Sequence, residues 1–394
     1  MNNNHSIRFT WKYICTFSAV LLMVAPLSPM ARAQGVQSIA KQPVATSTQP
    51  VITALENAAP QDVRTSLASL PEADTLIYLS PRRIIADAAP RVLPEKDLAE
   101  MREGFSKLKT EIGIDPTSID YLVLQVRFRK PTADLNFSLP EFMVVASGDI
   151  NAVTLMACAK EAVKGNLRNE NYGSKTLTLI TIDEFAKEAE KTPLLKSFSE
   201  MAIVMLNGNT IAVGTPAYVK AAIDAHEGKN RISPDLLNSV MRDPTALASA
   251  AGSPWTAFAK TLALLGTENN PRTPKWDSKL GDYYAAITLE GTSFKLRGAL
   301  NADNPDTAKI IKSLLANLLE QAGGMNTDKN AAAVLSSLVI TPTETEVLVQ
   351  ADVSQKAVAD FIREQTGPKK QATTKPTGKP RPRRRHRPRH RVRK

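Results

Sequence analysis

The sequence predicts an α+β protein made of two ββα-type halves, with a mainly antiparallel sheet and helices packed on one face of it. Three observations support this fold class. Short β-rich runs alternate with amphipathic helical patterns along the chain. Asn207-Gly208 separates two strand patterns, and it is a strong hairpin signal because a type I′ turn needs φ above zero at both central residues. A hairpin followed by a helix occurs twice, which favours antiparallel pairing with helices on one side.

The chain starts with the pattern of a secretory signal peptide over residues 1–33. Arg8 and Lys12 make its start weakly positive, residues 14–27 form an apolar run, and Ala31-Arg32-Ala33 is a small–x–small cleavage sequence. The apolar run is shorter than the roughly 20 residues that cross a bilayer. We therefore expect an exported protein that is periplasmic, at the cell surface or extracellular, with no transmembrane span in the mature chain. An uncleaved anchor is the alternative.

Residues 34–68 are rich in Gln, Ala, Thr, Ser and Pro and are expected to form a flexible tether. Order is expected to begin at about Leu70. From there, strands are predicted where β-rich runs are bounded by breakers. In chain order these runs are 75–79, 121–128, 142–146, 177–182, 202–206, 210–213 and 294–300.

Helices are predicted from their start signals. Asn304 has the character of an N-cap, and Pro305 takes the first helical position, where a missing N–H costs nothing. Asp149, Thr215 and Ser354 open further helices, and the charged stretch 98–112 forms another. The apolar side chains expected to face the sheet include Val153, Met156, Val219, Ile223, Ile310, Ile311, Leu314, Leu315, Val358, Phe361 and Ile362.

An internal repeat follows from these patterns. Residues 201–225 and 336–362 both contain a hairpin and then a helix, with matching order and length. Each is preceded by a strand-then-helix unit. The chain is therefore expected to contain two α+β halves, residues 69–250 and 251–366.

A Leu-Pro-x-x-Thr-like entry into the first strand lies at residues 70–78 (LPEADTLIY), and repeated strand–helix units follow it. In this the chain resembles bacterial exported proteins with two α/β repeats that are built from a domain of unknown function. The resemblance covers most of residues 70–365. It implies an extracytoplasmic α+β protein, and it implies no activity and no functional residue.

Residue types that usually carry catalysis are sparse in the body of the chain. His226 is its one histidine, and Cys158 is the one cysteine of the predicted mature chain, interpreted as a small core residue rather than a reactive thiol. Ser106-x-x-Lys109 has the spacing of exported acyl-transfer enzymes, but the accompanying elements of those enzymes are absent. We therefore predict no catalytic residue, no metal site and no cofactor.

The last 28 residues, 367–394, hold all of the net positive charge. The chain has 50 Lys and Arg against 39 Asp and Glu, a net charge of +11, and thirteen of the basic residues lie in this tail without any acidic residue. Interleaved prolines keep such a segment extended, and it has too little apolar surface to fold. The residues predicted to bind polyanions are Lys379, Arg381, Arg383, Arg384, Arg385, Arg387, Arg389, Arg391, Arg393 and Lys394.

The expected partners of the tail are anionic envelope polymers or lipid headgroups, with nucleic acid as the second choice and a merely solubilising tail as the alternative. The leading functional hypothesis is a non-enzymatic binding or scaffold protein at the cell envelope. The rival is an exported hydrolase-like enzyme with its site between the two halves. An apolar junction between the halves would favour the binding protein, and a buried polar cluster there would favour the enzyme. The sequence does not indicate an oligomeric state.

Overall fold

The computed structural model describes residues 61–128, 140–162, 167–181, 199–253, 280–325 and 337–366. These residues form an α+β fold around a large antiparallel sheet. The predicted signal peptide, the predicted tail and all of the predicted tether before residue 61 lie outside the described residues.

The described strands are numbered along the chain. They are β1 Thr75–Leu79, β2 Ile114–Phe128, β3 Pro140–Ile150, β4 Leu167–Tyr172, β5 Lys175–Thr181, β6 Glu200–Met205, β7 Thr210–Gly214, β8 Ala248–Gly252, β9 Leu280–Glu290, β10 Ser293–Ala302, β11 Val339–Pro342 and β12 Glu346–Ser354. All twelve belong to one sheet in the order β11-β12-β10-β9-β8-β1-β2-β3-β7-β6-β5-β4. Every pair of neighbours is antiparallel.

The described helices are numbered in the same way. They are α1 Gln61–Ala68, α2 81–92 (Pro81–Arg83, a π-helical turn Ile84–Ala88, and Ala89–Val92), α3 Glu95–Glu111, α4 Ala152–Ala162, α5 Pro216–His226, α6 Pro234–Val240, α7 Pro305–Met325 and α8 Gln355–Thr366. In the part of the chain that the structure describes, none of these helices combines the length and apolar character that a membrane span requires.

Neighbouring residues of a strand point to opposite faces of the sheet, and both faces carry helices. The α5 face is defined by Val123, Val145 and Ala212, which pack in one core with α1, α5 and α6. The α4 face is defined by Ala146 and Ile211, which pack with α4. Further along the sheet the α4 face carries α2, α7 and α8. The prediction that the helices lie on one face is therefore wrong.

Strand β3 shows why both faces are covered. Met143 and Val145 are fully buried on the α5 face, while Val144 and Ala146 are half-buried on the α4 face. A strand covered on both sides has a continuous apolar sequence instead of a polar–apolar alternation, and residues 142–146 (FMVVA) are such a run.

Strand β10 has the orientation that its alternation predicts. Phe294 and Leu296 pack in a core with α8, and Leu300 packs with α7. Lys295 and Arg297 lie on the opposite face and form ion pairs there. One face of this strand is therefore dry and the other is polar.

The predicted helix starts are confirmed at Asn304, Thr215 and Ser354, although the side chain of Thr215 forms no cap hydrogen bond. The side chains of Asn304 and Ser354 each accept the backbone N–H three residues further on, at 2.9 and 3.2 Å. At α4 the cap is Asn151, not Asp149, because β3 continues past Asp149. The Oδ1 of Asn151 accepts a hydrogen bond from the backbone N of Thr154 at 3.1 Å.

Two apolar residues that were predicted to face the sheet are instead exposed. Val153 on α4 is 82% exposed and Ile310 on α7 is 60% exposed. On α7 the residues that pack on the sheet are Ala308, Ile311 and Leu315, spaced by three and four residues along one stripe of the helix. The apolar pattern of α7 is wider than the stripe that the sheet covers.

The ordered body also begins earlier than predicted. Residues 61–68 of the predicted tether form α1, and Leu67 is fully buried in the core of the α5 face. Strand β8 was missed entirely because its sequence, Ala-Ser-Ala-Ala-Gly, lacks the β-branched and aromatic residues that mark strands. Small residues fit there because α6 packs closely on β8, and the hydroxyl of Ser249 donates to the carbonyl of Val240 at the end of α6 at 2.7 Å.

The predicted hairpin between β6 and β7 is present, but its turn is wider than a two-residue type I′ turn. The backbone N of Leu206 donates to the O of Thr210 at 2.9 Å. Within the loop, the side chain of Asn207 accepts a hydrogen bond from the backbone N of Asn209 at 3.0 Å. Asn207 therefore stabilises the loop through its side chain.

Candidate functional site

The ten residues predicted to bind polyanions, from Lys379 to Lys394, lie outside the described residues. The last described element, α8, ends at Thr366, and the polycationic sequence follows directly. Polyanion binding therefore stays a prediction.

The Ser106-x-x-Lys109 pair lies on the exposed side of α3. The Nζ of Lys109 is 3.0 Å from the Oδ2 of Asp115. This hydrogen bond and the charge of Asp115 raise the pKa of Lys109. The lysine of this pair is therefore engaged with Asp115 and stays protonated, which makes it a poor acceptor for the proton of a serine.

His226 and Cys158 are both half-buried. His226 lies in the last turn of α5, where the helix dipole favours a cation. Cys158 is a free thiol on α4. Within the described ranges, no group of three or more His, Cys, Asp or Glu side chains is placed to hold a metal ion.

The junction between the two predicted halves is the pairing of β8 with β9. Ala250 lies opposite Ala285, and Ala251 lies opposite Tyr284. All three alanines are at most 7% exposed. Gly252 ends the ladder, and a Cβ there would lie 2.2 Å from the carbonyl oxygen of Asp74. Small side chains therefore let the strands pack closely at this point.

A chain of ion pairs lies beside this junction on the α5 face. The hydroxyl of Tyr284 donates to Asp243 at 3.3 Å, and Arg297 pairs with Asp243 at 3.4 Å and with Glu290 at 2.7 Å. The guanidinium of Arg242 lies 5.4 Å from the centre of the Tyr284 ring. Burial, together with the Asp243 carboxylate, raises the pKa of Tyr284. The phenol therefore stays a neutral donor, and the charges around it neutralise one another.

A groove with a volume of about 250 Å³ runs between α4 and strands β5 and β6 on the α4 face. We name it the α4 groove. Its floor is apolar and consists of Ile203, Met205 and Ile211, and one wall consists of Ala152 and Met156 from α4.

The opposite wall of the α4 groove is polar and includes the hydroxyl of Ser174 and the ammonium group of Lys175. Thr176 and Thr178 of β5 line the groove. Their hydroxyls donate to the side-chain oxygens of Asn171 and Asn169 on β4, at 2.9 and 3.1 Å. The groove can therefore hold a ligand whose apolar part lies on the floor and whose polar part forms hydrogen bonds at one side.

A buried polar network on the α5 face joins β2, β3 and α5. Arg127 donates to Glu141 through Nη2 at 2.6 Å and Nε at 3.1 Å, and its guanidinium carbon lies 4.5 Å from the centre of the Tyr218 ring. Tyr218 is fully buried, and its hydroxyl donates to the carbonyl of Glu72 at 3.0 Å. Burial raises the pKa of Tyr218. The network therefore holds β2, β3 and α5 together.

Neither the α4 groove nor the buried network follows from the motif analysis. The signal for the groove wall was the alternation in residues 175–181 (KTLTLIT), which places the threonines on one face and the leucines on the other. The arrangement of the network depends on pairing between strands that lie apart in sequence, so no local pattern indicates it.

No protein-family model and no curated protein matches this chain. Solved structures that it resembles include crystal form III of TP0453, at 11% identity and a TM-score of 0.41, which covers 75% of this chain and 96% of that chain. Crystal form I of TP0453 is 10% identical, with a TM-score of 0.39, and covers 76% of this chain and 96% of that chain. A likeness this remote carries no argument about function.

Proposed function

We propose that the chain is an exported, non-enzymatic binding or scaffold protein of the cell envelope, with a folded body that binds a partner and a tail that attaches to polyanions. The observation that carries this proposal is the ladder between β8 and β9. An enzyme with its site between the halves needs a polar cleft there. Among the described residues there, Ala250, Ala251 and Ala285 form an apolar pairing, and the polar cluster beside it, formed by Tyr284, Asp243 and Arg297, consists of groups that are paired with one another.

Two similar halves are part of this proposal. The sheet contains the orders β2-β3-β7-β6 and β9-β10-β12-β11 on the two sides of its centre. Along the chain, α4 follows β3 and α5 follows β7 in the first half. In the second half, α7 follows β10 and α8 follows β12. The same order of pairing and of helices supports a repeated unit, in agreement with the resemblance to exported two-repeat proteins.

The α4 groove supports a binding role for the body. Its apolar floor lies beside the hydroxyl groups of Thr176 and Thr178 and the cationic side chain of Lys175, and such mixed linings suit a partner with both an apolar and a polar part. We assign the body's partner to this groove.

The tail supports attachment to an anionic surface. A basic residue near such a surface gains about 1 kcal/mol, and the tail carries thirteen of them. Arginine forms forked hydrogen bonds with phosphate and carboxylate groups. A part of the tail is therefore sufficient for attachment at low salt.

The test compares residues 34–394 with residues 34–366 in co-sedimentation with vesicles that contain phosphatidylglycerol. We expect the longer protein to bind at about 0.01 M salt and to dissociate at about 1 M, where the Debye length falls from about 30 Å to about 3 Å. The shorter protein should stay in solution at both salt concentrations.

Ala152→Trp, which fills the α4 groove and leaves the tail intact, serves as the matched control and should bind the vesicles normally. Equal binding by the long and short proteins would refute the anchor. Loss of vesicle binding by Ala152→Trp would show that the folded body, and not the tail, attaches the protein to the vesicles. Tighter binding to a short single-stranded DNA than to the vesicles would make nucleic acid the first partner.

A further inference from the structure

Strand β4 is the outermost described strand at one end of the sheet, and its described neighbour is β5 alone. The two strands are joined by the two-residue turn Gly173-Ser174, with Tyr172 opposite Lys175. Gly173 has φ of 56°, which fits the first central position of a type II′ turn. This tight turn sets the register of the whole hairpin.

The register determines which backbone groups of β4 point away from β5. In a two-residue hairpin the residues that flank the turn exchange both hydrogen bonds, and the hydrogen-bonded pairs then alternate along the ladder. Tyr172, Glu170 and Arg168 therefore bond to β5. The N–H and C=O groups of Leu167, Asn169 and Asn171 point outward, in the direction of a further strand.

The side chains of β4 are polar and accessible. Arg168 and Asn169 are exposed and Glu170 is half-buried. Arg168 pairs with Glu200 of β6 at 2.9 Å, and Glu170 pairs with Lys220 of α5 at 2.5 Å. Charged residues on an edge strand usually prevent pairing with other chains. Pairing stays favourable only with a strand that places opposite charges across from Arg168 and Glu170.

We propose that β4 pairs antiparallel with β4 of a second copy of this chain, about a two-fold axis at Asn169, and so forms a homodimer. In this arrangement Asn169 lies opposite its own copy, and Leu167 lies opposite Asn171. All three use their outward backbone groups for hydrogen bonds. Arg168 of each copy then lies opposite Glu170 of the other, at a position without backbone hydrogen bonds where Cα atoms are about 4.5 Å apart.

The charges select this register over its neighbours. The outward backbone groups also allow two-fold axes at position 168 or at position 170. An axis at 168 places Arg168 opposite Arg168, and an axis at 170 places Glu170 opposite Glu170. Like charges directly opposite each other destabilise a strand pair, and opposite charges stabilise it. Among the registers that the ladder permits here, the axis at Asn169 therefore has the complementary charges.

This self-complementarity is the reason for choosing a second copy of the chain over an unrelated extended peptide. Antiparallel pairing sets this strand against a second copy that runs in the opposite direction. Arg168 then lies opposite Glu170 at both ends of the segment. Pairing would continue the sheet of one copy into the sheet of the other, and the edge backbone groups of both would become hydrogen-bonded.

The test uses residues 34–394 in analytical ultracentrifugation at about 0.15 M salt. Arg168→Glu and Glu170→Arg each place like charges opposite each other in the homodimer, and each should weaken self-association on the order of tenfold or more. An equal mixture of the two variants should associate again, because every Glu of one variant then lies opposite an Arg of the other. A structural effect inside one chain cannot produce this recovery.

A second pair of variants tests the backbone. Asn169→Pro removes an outward N–H and leaves the bonds to β5 in place, and it should give a monomer. Asn169→Ala keeps the N–H and should remain a dimer. If the unchanged chain is a monomer at micromolar concentration, if the mixed charge variants stay monomeric while folded, or if Asn169→Pro still forms a dimer, the proposed interface is wrong. If circular dichroism shows that the charge variants are unfolded, the comparison of Asn169→Pro with Asn169→Ala tests the interface in their place.

Discussion

Single residues in this structure stabilise the connections between elements, and Asp115 is a clear case. It lies at the start of β2, directly after α3. Its carboxylate accepts hydrogen bonds from the hydroxyl of Thr117 at 2.5 Å and from the backbone N of Thr117 at 2.9 Å, and it pairs with Lys109. The Thr117 hydroxyl, and then Lys109, lower the pKa of Asp115 by stabilising the charged form.

Asp115→Asn is expected to lower the free energy of unfolding by about 1 kcal/mol at neutral pH, because it weakens hydrogen bonds to a charged group. The folded pKa is depressed. The stabilisation is therefore fully present above the unfolded pKa of about 3.9, and it is lost as the pH falls through the folded pKa. Urea unfolding of both proteins over a pH series measures the difference.

Asp120→Asn is the matched control. Its carboxylate is half-exposed and lies 3.6 Å from Arg82, which is more exposed still, so the substitution should change stability by less than about 1 kcal/mol. A loss from Asp115→Asn that is as large below the folded pKa as at neutral pH would show that the charge of Asp115 does not cause it.

At the scale of elements, α7 shows how packing selects among the apolar residues of a helix. Its start follows from the local sequence, because Asn304 and Pro305 form an N-cap and a first turn whatever the helix packs against. Its buried side does not follow from the local sequence. Ile310 and Ile311 are neighbours with the same side chain, and the packing of α7 on β10, β11 and β12 buries only the second.

This pair gives a direct test of the packing. Ile311→Ala is expected to lower the free energy of unfolding by about 2–4 kcal/mol, because Ile311 is 4% exposed and its loss leaves a cavity. Ile310→Ala, at a residue that is 60% exposed, should change it by less than about 0.5 kcal/mol. Denaturant unfolding monitored by circular dichroism measures both, and equal effects would contradict the described packing of α7.

The elements also show how far the sequence predicts this fold. All seven predicted strands are present, because alternation and β-rich composition are local signals. Strand β8 was missed because its small residues suit a tightly packed central position and carry no strand signal of their own. The α4 groove and the outer edge of β4 depend on which strands become neighbours. The pairing of strands depends on contacts throughout the sheet, so no local sequence pattern predicts it.

At the scale of the whole molecule, the two predicted halves share one sheet. Strand β8 pairs with β1 on one side and with β9 on the other, so the junction transmits a local defect into both halves. The sequence predicted two units and did not predict that their strands form a continuous ladder, because neither β8 nor β9 was recognised as a strand.

Ala285→Glu tests this coupling. Ala285 is 5% exposed, and an unpaired carboxylate at this buried position should cost about 3 kcal/mol or more. We expect hydrogen exchange to increase in β2 and in β12 alike. Thr341→Glu, at an exposed position on β11, is the control and should leave exchange in β2 unchanged. Faster exchange in β12 alone would show that the halves unfold independently.

The pairing of β1 with β8 also has a consequence for the time that folding takes. Leu79 pairs with Ala248, so the centre of the sheet forms only after almost the whole first half of the chain is available. Contacts between residues so distant in sequence slow folding, since the entropy of closing the loop is lost before the contact is gained. Strand β9 pairs with β10, and β11 with β12, across short connections, so we expect these two hairpins to form early. We therefore expect β8 to insert last, so that the middle of the molecule is its slowest part to form.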